Sequence, residues 1–220
     1  LQSVILSRID RLGAEGKETL QRAAVIGRLF RRRLLAKVTP ALIDLTAVLA
    51  ELEARDLIYQ ERLIPEEEYS FKHVLVQDAI YSTLLRGQRM HYHQQVAEAL
   101  EQLYGDNLAE AYEQLAYHYE RSAVDGKAIT YLLKAGEKAR RAYLNDEALA
   151  YFQRARARLD PLSAAQVGTP SGSLPQHTEE GKTPIAASNN QARGALRLEA
   201  LQGLGQVCLG MSKIDDAAVY

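Results

Sequence analysis

The chain has 220 residues, and its 27 lysine and arginine residues nearly balance 28 aspartate and glutamate residues. This balance excludes a strongly basic nucleic-acid-binding module, although a local basic patch remains compatible with it. The single cysteine, Cys208, excludes an intrachain disulfide framework or a cysteine-based zinc site and is typical of a reducing compartment. Since no run of about 18 apolar residues occurs, we expect a cytoplasmic protein with no membrane partner.

The two ends of the chain resemble the interior of a longer protein. Residue 1 is not methionine, and Leu1–Leu12 already has an amphipathic helical pattern. At the other end, residues 215–220 have the composition of a helix that is beginning. We therefore expect a fragment whose catalytic parts lie elsewhere.

Residues 1–87 combine helical patterns with one β-hairpin. An apolar stripe at helical spacing runs through Leu42, Leu45, Leu49 and Leu52. The period then changes to that of two strands over residues 57–72, which flank a polar turn at Pro65–Glu68. The predicted helices are Leu1–Leu12, Ala14–Gly27, Arg31–Val38 and Ala41–Arg55. This order is typical of a winged helix, so we predict a winged-helix domain over residues 1–87.

The rest of the chain is predicted to be helical apart from one linker. Residues 88–160 have turn chemistry only between helical segments. Residues 161–190 contain four of the six prolines and few large apolar residues, which is typical of a flexible linker. The helical pattern returns over residues 191–220. The predicted fold class is therefore mainly α.

A repeat pattern supports an α-solenoid over residues 88–160. The tetratricopeptide spacing of bulky and small residues is matched at Tyr112, Leu115, Ala116, Tyr119, Ala128, Leu132 and Ala135. A half-match lies at Asn145–Ala148 with Phe152 and Ala155, and a second fit at Leu201, Leu204, Gly205, Cys208 and Ala217 marks the start of a truncated repeat. The alternative is a plain helical bundle with accidental spacing.

Each repeat residue has an expected role. Leu115, Ala116, Ala128, Leu132 and Ala135 should pack at helix–helix contacts, where small residues allow close approach. Tyrosines are usually packing residues, but Tyr112, Tyr119 and Tyr131 would anchor a peptide if they faced the concave surface of the solenoid. Cys208 is interpreted as a small core residue.

Four stretches of this chain resemble bacterial STAND-type signal-transduction ATPases. They are Ile5–Leu12, Ala23–Phe30, Tyr69–Tyr81 and His93–Leu100. In that family a P-loop ATPase core precedes a winged helix, a tetratricopeptide solenoid follows, and nucleotide-cyclase, kinase or transcription-activator domains are often fused. The resemblance implies a switch with ATP or ADP and magnesium in the intact protein, an upstream ATPase core as partner in cis, and a protein or peptide partner for the solenoid.

The chain lacks the phosphate-binding motif of that family. No G-x-x-x-x-G-K-[ST] sequence occurs. We therefore expect a regulatory, non-catalytic segment with no catalytic residue, no metal site and no cofactor of its own.

His73 is the candidate phosphate sensor. In related switches a histidine in a Phe-x-His-x-x-x-Gln frame contacts the β-phosphate of ADP, and Phe71, His73 and Gln77 match this frame. An imidazole at a helix start suits a phosphate, because free backbone N–H groups lie beside it. The alternative is a structural histidine that caps the strand–helix junction.

A local basic patch gives the alternative function. Its residues are Arg28, Arg31, Arg32, Arg33 and Lys37. They would contact DNA in a winged-helix transcriptional regulator with a helical effector domain, or they form a solvated face or meet the ATPase core. The acidic turn Glu66–Glu68 and the few basic residues in Ala41–Arg55 argue against DNA.

Metal and hydrolase sites have little support. His91 and His93 are two residues apart, so on a helix they point to different faces, and His118 is distant in sequence. No G-x-S-x-G elbow is present.

Overall fold

The computed structural model describes residues 7–9, 11–164 and 185–217. The described residues are mainly helical, with one small sheet. The chain divides into two compact units between Val124 and Asp125.

The first unit contains the sheet. Its elements are α1 (Ala14–Ile26), β1 (Leu29–Arg31), α2 (Arg32–Val38), α3 (Leu45–Ala54), β2 (Ile58–Arg62), β3 (Glu68–Phe71), α4 (Val74–Thr83), α5 (Arg86–Tyr104), a 3-10 helix (Gly105–Ala111) and α6 (Tyr112–Glu120). The second unit consists of α7 (Asp125–Arg141), α8 (Asn145–Ala164) and α9 (Ile185–Ala217).

The sheet is antiparallel with the strand order β1-β3-β2. Tyr69 of the buried central strand β3 lies opposite Phe30 on one side and Gln60 on the other. The hairpin predicted over residues 57–72 is therefore present, but the prediction missed β1. This strand has only three residues, between Gly27, whose φ of 148° ends α1, and the start of α2.

Helix α3 begins later than the sequence predicts. Asp44 is its N-cap residue, and its carboxylate accepts hydrogen bonds from the backbone N–H groups of Thr46 and Ala47 at 3.1 and 3.2 Å. Leu42 consequently lies outside the helix and is 97% exposed, so its predicted place in the apolar stripe is wrong. Leu49 and Leu52 are buried.

Helix α5 belongs to the core of the first unit. It buries Val96, Ala97 and Leu100 and packs on α1 and α2. Because this packing adds α5 to the sheet-containing core, the first unit extends to Val124, beyond the domain boundary predicted at residue 87.

The buried side chain of Arg22 connects α1, α2 and α5. Arg22 of α1 donates hydrogen bonds to the Val38 carbonyl of α2 at 2.5 Å and to Gln95 Oε1 of α5 at 2.7 Å. It also donates to Glu18 Oε1 at 2.6 Å, and its guanidinium lies 4.6 Å from the ring centroid of Tyr92. A buried guanidinium needs such partners because its desolvation is costly.

The second unit is centred on Phe152 of α8. A Cβ atom built on Gly136 of α7 would lie 3.0 Å from the Phe152 ring, and one built on Gly203 of α9 would lie 2.5 Å from it. The ring therefore lies against both helices at a glycine position. Ala128, Ala135, Ala148 and Ala155 of the same unit are fully buried.

Helix α9 uses a different face from the one predicted. Ala200, Gly203 and Val207 are buried, whereas Leu201, Gly205 and Cys208 are exposed. The second repeat register is therefore not the buried one, and the interpretation of Cys208 as a core residue is wrong. Leu204 is half-buried, and the side chain of Ala217 lies outside the described residues.

Both ends of the predicted linker are helical. Residues 161–164 still belong to α8, and α9 begins at Ile185. The remainder of the predicted linker, residues 165–184, lies outside the described residues, as does most of the predicted helix Leu1–Leu12. None of the helices in the described ranges has the length and apolar character required to cross a membrane.

Candidate functional site

His73 lies at the junction between β3 and α4. It is the N-cap residue of α4 and has an extended backbone, with φ −138° and ψ 143°. Its side chain is exposed and makes no capping hydrogen bond. The alternative role as a side-chain cap is therefore absent from this structure, and the imidazole remains accessible to a partner.

The other two residues of the frame are anchored in the fold. Phe71 is fully buried, and its ring centroid lies 5.6 Å from that of Phe30 in β1. Gln77 donates a hydrogen bond through Nε2 to the Ala24 carbonyl of α1 at 3.1 Å. These two contacts anchor the residues on both sides of His73, and so they hold the backbone of the junction in place.

The side chains next to His73 form an exposed surface. Lys72 forms an ion pair with Asp56 at 2.9 Å, and the hydrogen bond and charge of Lys72 hold the pKa of the Asp56 carboxyl below its usual range. Val74 and Leu75, in the first turn of α4, are each 49% exposed. We refer to Lys72, His73, Val74 and Leu75 as the junction surface. It combines a cation, an imidazole and two apolar side chains.

The basic patch and the acidic turn pair with each other. Arg31 contacts Glu68 at 3.2 Å and Glu66 at 3.6 Å, and Arg32 contacts Glu67 at 3.3 Å. The sequence alone does not reveal this pairing, because the paired residues lie more than thirty positions apart in the chain. Their pairing directs two of the five patch cations to the hairpin. The other three, Arg28, Arg33 and Lys37, are exposed.

Two histidines that are distant in sequence, His93 and His118, lie in direct contact. His93 Nδ1 of α5 is 2.9 Å from His118 Nδ1 of α6, and His93 Nε2 is 3.0 Å from the Tyr81 hydroxyl of α4. Both histidines are buried, whereas His91 is exposed. The spacing of the two histidines in sequence does not predict this contact, because the contact depends on how α6 packs against α5.

Burial dominates the electrostatics of this pair. Desolvation, followed by the charges of Arg121 and Arg89, lowers the pKa of His93 to about 4. Desolvation, His93 and Arg121 lower the pKa of His118 to about 3. Among the described residues no group of three histidine, cysteine, aspartate or glutamate side chains is arranged to hold a metal ion.

A groove of about 480 Å³ lies beside the histidine pair in the first unit. Its lining includes His118 and Tyr117 of α6, Arg31 and Arg33 near β1, and Leu100 of α5. This volume falls within the usual range of small-ligand pockets.

Two of the three candidate peptide anchors are core residues. Tyr119 is fully buried, and burial together with a hydrogen bond to Glu101 raises the pKa of its hydroxyl. Tyr131 is 6% exposed, whereas Tyr112 is half-buried. The structure therefore corrects the expectation that Tyr119 and Tyr131 present an interaction surface.

The five candidate packing residues are all fully buried. Leu115 and Ala116 lie in α6 of the first unit, whereas Ala128, Leu132 and Ala135 lie in α7 of the second unit. The first repeat fit therefore spans the division between the units. Within the second unit, two residues of the half-match are buried: Phe152 lies against Gly136 of α7 and Gly203 of α9, and Ala155 is fully buried.

Comparison with known proteins finds a relative that matches part of this chain. An uncharacterized protein of Rhizobium meliloti (strain 1021) is 29% identical over 143 residues, which cover 63% of this chain and 14% of that protein. The match therefore spans a small part of a much longer relative. No family model matches the chain, and no solved structure is similar to it.

Proposed function

We propose that this chain is the regulatory and protein-interaction segment of a cytoplasmic STAND-type signalling ATPase. In this proposal the first unit is a winged-helix domain that contacts an upstream ATPase core, and the helices of the second unit belong to a tetratricopeptide-like solenoid that senses a protein or peptide partner. The chain itself is non-catalytic, and ATP or ADP with magnesium binds to the core outside it.

The junction surface is the observation that supports this proposal most directly. His73 is exposed and uncapped, yet Phe71 and Gln77 fix the backbone on either side of it. An imidazole N–H at the start of a helix can donate to a phosphate oxygen together with the first backbone N–H groups. Val74 and Leu75 provide the apolar contact area that a neighbouring domain would cover.

The length of the relative agrees with this proposal. The matched residues cover only 14% of the Rhizobium meliloti protein, so a segment of this kind occurs there within a much larger chain. Such a context is what a regulatory segment between an ATPase core and a sensor requires.

The alternative of a DNA-binding regulator is less well supported. Arg31 and Arg32 contact the carboxylates of the hairpin turn instead of being available for phosphates. A hairpin with three consecutive glutamates also repels the DNA backbone. Fluorescence anisotropy with a labelled duplex at low and high salt separates the two functions, because a DNA-binding protein loses affinity steeply as salt rises.

The sensor role of His73 can be tested in the protein that includes the upstream core. We expect His73→Ala to weaken ADP binding by about 1–3 kcal/mol, the contribution of a hydrogen bond to a charged group. Folding should change little, since the imidazole makes no capping bond. His91→Ala is the matched control, because His91 is also exposed but lies within α5. Equal ADP affinity of wild type and His73→Ala, measured by calorimetry beside the melting temperature, would remove the sensor role.

A further inference from the structure

The contact between His93 and His118 holds α6 against α5. His93 is fully buried and His118 is 4% exposed. Their Nδ1 atoms are 2.9 Å apart, and Tyr81 of α4 extends the chain of hydrogen bonds through His93 Nε2. Three helices therefore meet at one row of polar atoms. A second polar contact between α6 and α5 is the hydrogen bond of Tyr119 with Glu101.

The hydrogen bond between the two rings requires that one Nδ1 atom carries a hydrogen and that the other does not. A neutral imidazole has one N–H donor and one bare acceptor nitrogen. When both rings are neutral, one Nδ1 donates and the other accepts, and the contact is satisfied. When both rings are protonated, each Nδ1 carries a hydrogen, so two donors face each other at 2.9 Å and the bond is lost.

The charges around the pair oppose protonation. The Arg89 guanidinium lies 4.7 Å from the Tyr81 ring centroid, and the Arg121 guanidinium lies 3.7 Å from the Tyr117 ring centroid. The Tyr117 ring in turn packs edge-on against both histidines. Two cations therefore lie one aromatic ring away from the histidines, and a positive charge placed between them is unfavourable. The charged side chains on the adjoining groove are Arg31, Arg33, Glu66, Glu68 and Glu113.

We propose that the His93–His118 pair is an acid-sensitive latch, which keeps α6 docked on α5 near neutral pH and releases it when the surroundings acidify. The released element is specific, because α6 is the last helix of the first unit and makes its packing contacts with α5 and the 3-10 helix. The helices α1 and α2 are joined to each other and to α5 by the Arg22 network, which includes neither histidine.

The direction of the pH effect follows from the shifted protonation equilibria. In the docked state the pKa values are about 4 for His93 and about 3 for His118, below the value of about 6.5 for an exposed imidazole. The released state therefore binds more protons once the pH falls below about 6.5, and acidification favours it. Docking is fully favoured above that pH and weakens progressively towards pH 4.

Hydrogen exchange on the 220-residue chain tests the latch. Exchange of the α6 and α1 amides is followed at pH 6 and pH 5 and corrected for the intrinsic exchange rates. With both histidines released, the opening equilibrium of α6 should increase by about 50-fold between these pH values, from the two pKa differences. The α1 amides should show no comparable increase. Parallel opening of α1 and α6 would indicate general acid unfolding and overturn the latch, as would unchanged opening of α6.

Two variants assign the effect to the buried pair. His118→Gln retains a hydrogen-bonding side chain but removes one titrating group, so the increase in α6 opening should fall to about 7-fold. His91→Gln removes an exposed histidine from the same pair of helices and should retain the full increase. A full increase in His118→Gln would refute the proposal. If that variant fails to fold, NMR titration of the His93 and His118 ring protons in the unmodified chain decides: titration near pH 6.5 with α6 still docked would refute the latch.

Discussion

Replacing Gly203 with alanine tests how α8 and α9 pack around Phe152. The added Cβ would lie 2.5, 2.6 and 2.8 Å from three carbon atoms of the Phe152 ring. Because carbon atoms in contact are normally about 3.5–4 Å apart, the ring or the helix must move by about 1 Å. Overpacking of this kind costs about 1–3 kcal/mol.

An opposing effect has to be separated from this cost. Alanine is favoured over glycine inside a helix by about 0.5–1 kcal/mol, so the net change in Gly203→Ala is smaller than the overpacking alone. Gly205→Ala is the matched control, because Gly205 lies in the same helix and a Cβ there would have no neighbour within 4 Å. The two variants share the helix gain, so the difference between their free energies of unfolding isolates the contact with Phe152.

Urea denaturation followed by circular dichroism provides the measurement. We expect Gly205→Ala to unfold at a higher urea concentration than wild type, and Gly203→Ala to be less stable than Gly205→Ala by about 1–3 kcal/mol. The cost of Gly203→Ala should be smaller in a protein that already carries Phe152→Leu than in the wild type, since residues in contact do not behave additively. Equal stabilisation by both alanines would refute the placement of Phe152 against Gly203.

Three further outcomes are expected from contacts elsewhere in the chain. Asp44→Ala should destabilise the first unit by about 1 kcal/mol through loss of the α3 cap, whereas Asp44→Asn should largely preserve the melting temperature. Arg22→Met should destabilise the same unit by about 1.5–3 kcal/mol, because the hydrogen bonds to Val38 and Gln95 are lost; unchanged urea midpoints would contradict this. The hydrogen bond from Arg140 lowers the pKa of Glu137 to about 2. The stabilising contribution of the Glu137 carboxylate should therefore be complete above pH 4.5 and should decline as the pH falls towards 2. Melting temperatures should show no such contribution at any pH in Glu137→Gln.

Local sequence patterns predicted the hairpin and most helices correctly. Alternation of residue types and turn chemistry are local properties, and they located β2 and β3 near their observed bounds. The predictions failed where one contact outweighed the pattern. The cap formed by Asp44 excluded Leu42 from α3, and pairing with the distant β3 made a strand of residues 29–31.

The candidate site shows the same distinction. His73 was located at a strand–helix junction by its immediate neighbours in sequence. In contrast, the pairing of Arg31 with Glu68 and the contact of His93 with His118 join different elements. No periodicity records which faces of these elements meet, so the sequence predicted the residues but not their partners.

The position of β3 has a consequence for how the first unit assembles. Leu29 pairs with Ser70, so all of α2, α3 and β2 must be synthesised before β1 finds its neighbour. Hairpins close within about 1–10 μs, so β2 and β3 can pair as soon as both have emerged from the ribosome. Until then Phe30 has no aromatic cover from Phe71 or Tyr69. The nascent chain therefore leaves Phe30 of β1 without these two ring contacts for as long as translation of the hairpin takes.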